Sequence, residues 1–158
     1  MSRKPCSSFS RRNLRTSINL ICIRMDAISR VRRSANMRAV RSLNTKPELT
    51  VRRIAHKSGY RYRLHQPLLS CRPDIVFPRL RKIILVNGCF WHQHPNCRRS
   101  TIPKSNVQFW KPKLKGNTGR DKRNLKRLRS AGWRVLTIWE CQIADEQNLR
   151  SRVLGFLR

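Results

Sequence analysis

The chain predicts an α/β domain built on a mixed β-sheet. Three observations carry that prediction. Helix-like and strand-like stretches alternate in the order helix, strands, helix, strand, helix. Two short apolar runs, at 74–77 and 82–86, are separated only by a turn around Pro78 and Arg79. The second run, KIILV, is apolar on both faces, as a strand in the middle of a sheet must be.

Each element follows from local chemistry. Ser29 to Arg41 reads as a basic helix whose few apolar positions are Val31, Ala35 and Val40. A better helix starts at Thr45. Thr45 and Glu48 fit a capping box, Pro47 suits a first turn, and Gly59 fits the stop. Val51, Ile54 and Ala55 make its apolar side. Ser105 to about Lys115 predicts a weaker helix, weakened further by Pro112. A separate, stronger helix is expected from about Thr118 to Ala131, ending at Gly132. WRVLTIW at 133–139 predicts a third strand, and Asp145 to Phe156 a last helix. No internal repeat is visible.

At 158 residues the chain has the size of one ordinary domain. No stretch approaches the roughly 18 apolar residues that a membrane span needs. The formal charge of +30 is extreme, and self-repulsion on that scale favours a polyanionic partner, nucleic acid first. An anionic membrane is the lesser alternative, because the sequence shows neither a clear basic amphipathic helix nor a lipidation signal. Residues 1–24 carry basic groups and no acids. They read as a flexible basic extension, or as untranslated sequence if synthesis begins at Met25, which leaves 25–158 as one domain.

The stretch NGCFWHQHPNC, from Asn87 to Cys97, is dense in cysteine, histidine and aromatic residues. With no secretory signal present, such clustering points to metal rather than to disulfides. Cys89, His94 and Cys97 supply three ligands, and Cys141 follows directly after the third strand. If that strand pairs beside the loop after Val86, the four close a tetrahedral, structural zinc site. The alternative is a set of free buried cysteines beside a surface histidine. Cys6, Cys22 and Cys71 have no such partners, and His92 lies next to the cluster but outside it. A clamped loop would hold Phe90 and Trp91 rigidly at its tip; ordinary core packing is the competing account of that pair.

The chain has only seven acids. Asp74, in RPD, heads a strand. Asp121 shares a helix face with Leu125 and Leu128, and Glu48 lies on the inward side of its helix. An inward carboxylate left unpaired costs several kcal/mol. A shared site answers this economically: Asp74 holds a divalent cation, while Asp121 and Glu48 orient nearby groups. The alternatives are a strand-entry turn for Asp74, an arginine salt bridge for Asp121 and the capping box for Glu48.

Taken in order, MDAISR, RSANMRAVRSLNTKPEL, GYRYRLH, RPDIVFP, GCFWHQHPNC, the Pro103 to Trp110 run, the N-R-D of 117–121 and GWRVLTIWEC resemble the very short patch repair endonucleases, bacterial enzymes that nick DNA at T:G mismatches. The resemblance spans about Met25 to Cys141. It implies a restriction-endonuclease-like fold, a mixed central sheet flanked by helices with a structural zinc site. It implies Mg²⁺ held by Asp74 and the main-chain carbonyl of Val86. His92 would act at the scissile phosphate, oriented by Asp121, with Glu48 in support. Cys89, His94, Cys97 and Cys141 would hold Zn²⁺. Phe90 and Trp91 would wedge into the duplex from the major groove, and Met37 and Val40 would approach from the minor groove. Asn87 stands where the family usually carries histidine or another polar hydrogen-bonding residue; asparagine donates and accepts but does not titrate. Cys71 stands where a glycine is expected before RPD, so a strained turn is expected there. The partners implied are double-stranded DNA with a T:G mismatch and the mismatch-repair proteins, for a monomer in the bacterial cytoplasm associated with the nucleoid. The rival readings are a non-catalytic, zinc-stabilised nucleic-acid-binding protein, an inactive copy of the family, and a nuclease of the same fold with another substrate. Convergence of Asp74, His92 and Asp121 is what a mere binder has no need of.

Overall fold

The computed structural model describes residues 29–39 and 43–158. The expected extension at 1–24 and the expected DNA contact Val40 lie outside the described residues. Helix α1 runs Arg30–Ala39, and every side chain described on it is exposed, Met37 among them. Helix α2, Lys46–Lys57, starts at the capping box read from the sequence. Thr45 Oγ1 accepts the Glu48 N–H, and the Glu48 carboxylate accepts the Thr45 N–H in return.

The sheet has four strands in spatial order β1 (Arg63–Leu64), β2 (Ile75–Phe77), β3 (Lys82–Asn87) and β4 (Arg134–Trp139). β1 and β2 pair antiparallel, as do β2 and β3. β3 and β4 run parallel, from Lys82 opposite Arg134 to Asn87 opposite Trp139. The sheet is therefore mixed and β3 is interior, as its two-sided apolar pattern requires. The parallel pair needs a long crossover. Helix α3, Val107–Ser130, supplies it, and helix α4, Glu146–Leu157, closes the chain.

Alternation along the strands sorts the core into two layers. Ile75, Phe77, Ile84 and Ile138 face α2 and α4, meeting Val51, Ala55, Leu149 and Val153. Val76 and Ile83 face the other way, against Leu128 of α3. At the end of the sheet where β3 begins, the buried Lys82 donates from Nζ to the Leu157 carbonyl at 3.0 Å and so satisfies the last turn of α4.

One expectation is corrected. The two helices expected at 105–115 and 118–131 are one continuous helix of 24 residues. Pro112 sits in its second turn and forfeits one backbone hydrogen bond. The buried stripe Trp110, Leu114 and Leu128 spans both halves and outweighs that loss. The turn that ends at Cys71 carries its strain on Leu69 and Ser70. Both have left-handed backbone, at φ 48° and 64°, inside the tight Leu68–Cys71 bridge. Strand β1, of two exposed residues, is too short to leave a periodic signal.

Candidate active site and metal-binding cluster

A cavity of about 590 Å³ opens where β3 ends and is walled by α2, α3 and the segment leading into β2. Four carboxylates line it: Glu48, Asp74, Asp121 and Glu140. A chain of net charge +30 with seven acids thus commits most of them to one place. Asn87, Trp91 and His92 share the lining.

Asp74 precedes β2 and turns its carboxyl toward the neighbouring strand. Its Oδ2 accepts the Val86 N–H at 2.8 Å. Burial pushes its pKa up to about 6; the Val86 bond opposes that, Glu48 adds to it, and His65 and His92 oppose it. A buried carboxylate that resists ionisation is suited to a cation that would neutralise it, and the residue expected to supply a second ligand, Val86, meets Asp74 through its N–H. The residues present therefore fit a divalent ion.

His92 lies on the loop after β3. Its Nδ1 and Asp121 Oδ2 are 2.6 Å apart, each side chain about one-third exposed to the cavity. A carboxylate accepts, so Nδ1 carries the hydrogen in this contact, and in the neutral ring Nε2 is the acceptor nitrogen. Asp121 reaches His92 because of its place on α3. Spacings of four and seven put Trp110, Leu114, Asn117, Asp121 and Leu128 on one stripe, apolar at its ends and polar where it passes the cavity. Asn117 Nδ2 donates to the Trp91 carbonyl at 3.1 Å, fixing the loop from the same stripe.

Glu48 is 2% exposed and fully used. Its carboxylate accepts from the Asn44 N–H, the Thr45 N–H and hydroxyl, and Arg52 Nη2 at 2.7 Å. The capping-box account is correct, and the same carboxylate also lines the cavity.

The β3–β4 register puts Cys141 level with the loop after Gly88. The ligand atoms of Cys89, His94, Cys97 and Cys141 all lie within 4.8 Å of one another. His94 Nδ1 is 3.7 Å from Cys89 Sγ and 3.3 Å from Cys141 Sγ. Bonds of about 2.0–2.3 Å to a tetrahedral ion require edges of about 3.3–3.8 Å, so the set fits a metal ion. Burial pushes the Cys89 thiol up to about 12, while the Arg99 N–H draws Cys97 down. His92 stays outside this cluster, as expected. The Trp139 ring stacks on His94, 4.2 Å between centroids and 16° between planes, a support that the sequence did not advertise.

Phe90 and Trp91 do not stand free. Both pack edge-on or tilted against Trp110 of α3, at 5.3 and 6.1 Å. Lys113 lies over Trp91, Phe109 and Trp110 within 6 Å. Met37 is 40% exposed on α1. Sequence reasoning missed Trp110, Trp139, Arg52 and His65. The second Phe-Trp pair at 109–110 and the Glu48–Arg52 spacing of four were the available signals.

A basic chain with a mixed sheet, a carboxylate–histidine cavity and a Cys/His set able to hold a metal beside it has the make-up of a nuclease. The catalytic domain of the homing endonuclease I-Bth0305I has a similar fold, with a TM-score of 0.50 and 25% identity over 72% of this chain and 94% of that one. Residues 25–99 match the model of the family described as DNA mismatch endonuclease Vsr. The type II nicking enzyme V.XorIIP of Xanthomonas oryzae pv. oryzae is 45% identical over 84% of this chain and 96% of its own. The DNA mismatch endonuclease Vsr of Escherichia coli is 35% identical over 82% of each. The chain belongs to the Vsr family of DNA mismatch endonucleases. Among the described residues no helix is long and apolar enough to cross a membrane.

Proposed function

We propose that the protein nicks one strand of double-stranded DNA at a T:G mismatch, with Mg²⁺ at Asp74 and the Val86 carbonyl and Zn²⁺ at Cys89, His94, Cys97 and Cys141. The observation that carries this reading is the meeting of Asp74, His92 and Asp121 in one cavity, beside an aromatic pair. Bound magnesium supplies charge neutralisation at the phosphate and a lowered pKa for the attacking water. His92 Nε2 would accept a proton from the attacking water, and Asp121 would hold the ring and stabilise the imidazolium. Asn87, which cannot titrate, positions the phosphate or water by hydrogen bonding. Glu48 holds the wall against Asp74.

Phe90 and Trp91 give the selectivity. A mismatched pair unstacks at lower cost than a matched one, so inserted rings turn weak pairing into preference. Met37, with Val40, meets the opposite groove. Residues 25–158 act as one unit, as a monomer, in the bacterial cytoplasm at the nucleoid and alongside the mismatch-repair proteins.

The test is a nicking assay on duplexes that differ only by T:G or T:A, with magnesium and with chelator. Magnesium-dependent nicking of the T:G duplex alone is expected. No cut in either duplex would leave a nucleic-acid binder, and equal cutting would leave a general nuclease.

A further inference from the structure

Arg52 has no place in the reaction just described, yet its guanidinium joins three segments behind the cavity wall. The side chain is 7% exposed. Nη1 donates to Asn44 Oδ1 at 2.6 Å, in the linker before α2. Nη2 donates to Glu48 Oε2 at 2.7 Å and to His65 Nε2 at 3.0 Å. Arginine only donates, so His65 Nε2 is the acceptor in that contact. His65 follows β1, and its own N–H points to the Asp74 carbonyl at 3.5 Å.

Neutralising Glu48 does not require this arrangement, since a lysine would do it. A planar fork that satisfies three acceptors at once fixes position as well as charge. Two of those acceptors belong to residues with left-handed backbone: Asn44 at φ 54° and His65 at φ 47°. Such backbone costs roughly 1 kcal/mol or more for a non-glycine residue and persists where surrounding contacts over-determine it. Both strained residues are partners of the same guanidinium.

We propose that Arg52 is a positioning residue of the nicking site: by clamping Asn44, Glu48 and His65 it fixes the wall that carries Glu48 and Asp74, and so places Asp74 at the scissile phosphate. The inference rests on the nicking function proposed above. Loss of the clamp lets the linker and the segment after β1 relax toward ordinary backbone, which moves Asp74 without removing it.

The test compares wild type with Arg52→Lys, Asn44→Gly, Glu48→Gln and the Arg52→Lys/Glu48→Gln pair. Glycine at 44 keeps the left-handed backbone and removes only the side-chain arm. Three quantities are read: the single-turnover nicking rate at saturating DNA and Mg²⁺, the DNA affinity with Ca²⁺ in place of Mg²⁺, and Mn²⁺ affinity by electron paramagnetic resonance without DNA. A displacement of the order of 1 Å justifies expecting Arg52→Lys to slow nicking about tenfold or more. DNA affinity should stay within about twofold, and Mn²⁺ should bind more weakly. Because the residues act as a unit, Arg52→Lys should cost little further in the Glu48→Gln background. A wild-type rate in Arg52→Lys, or its full loss repeated in that background, overturns the proposal. Should Arg52→Lys melt, Asn44→Gly decides: slower nicking at unchanged melting temperature supports the clamp, and an unchanged rate rejects it. A wild-type protein that binds Mn²⁺ but never nicks rejects the proposed function instead, and the Mn²⁺ affinities still decide the role of Arg52.

Discussion

Two regions hang from the ends of the same parallel strand pair, and they are built on opposite terms. In the Cys/His cluster the four ligand atoms are already gathered within 4.8 Å of one another, with the Trp139 ring stacked on His94. In the cavity beside it, lined by four carboxylates, Asp74 resists ionisation. The cluster gathers the loop to the end of β4; the cavity is where the fold tolerates the cost of a buried carboxylate. His92 lies between them on the clamped loop and links them. The difference teaches that rigidity and reactivity are separable here, so damage to each should look different.

The largest effect should come from the cavity. Asp74→Asn is expected to lower the nicking rate by about 10⁴-fold while leaving DNA affinity within a few-fold; a variant that cuts at the wild-type rate would end the assignment of Asp74 to the metal. The next belongs to the cluster. Cys141→Ser opens the coordination shell and should cost about 3–4 kcal/mol of folding stability. Denaturant melts, with metal content measured alongside, would show it, and an unchanged midpoint would make the cluster ornamental.

The third effect reverses the sign of the second. Folding raises the Asp74 pKa from 3.8 to about 6, so the native state holds its proton more tightly than the unfolded chain. Stability is therefore lost as pH rises from about 4 to about 6, and the loss is complete above that, worth about 3 kcal/mol. Asp74→Asn removes it. In magnesium-free buffer the variant should be the more stable protein at pH 8, with the advantage gone near pH 3. Equal melting temperatures at pH 8 would contradict the buried-charge account.

Smaller again, Asp121→Asn should slow nicking about 100-fold, because the amide no longer favours the Nδ1–H tautomer of His92. Loss confined to substrate affinity would argue that the pair is structural. The smallest is Trp91→Ala, expected to narrow discrimination between T:G and T:A duplexes about tenfold, with non-specific binding nearly intact. Uniform weakening on both duplexes would return Trp91 to the Trp110 cluster as a packing residue.

Much of this was legible along the chain because it depends on neighbours in sequence. The Thr45–Glu48 box, the two-sided run of β3, and the stop after Ser130 are local signals. The Cys/His cluster could be read because cysteine and histidine are few and clustered, and Cys141 joins it through the strand pairing that the register shows. What misled was also local: Pro112 broke the expected helix in two, while the stripe that keeps it whole runs from Trp110 to Leu128.

The amino-acid sequence by itself determined the elements, the donor types and the charge that calls for a polyanion, since these follow from periodicity and side-chain chemistry. Only the tertiary structure decided which groups meet. Asp121 finds His92 across 29 positions, Arg52 gathers Asn44, Glu48 and His65, and Trp139 lies flat on His94. Such contacts depend on how two layers pack on one sheet. That packing is set by the summed burial of many apolar side chains, which no short stretch of the chain contains.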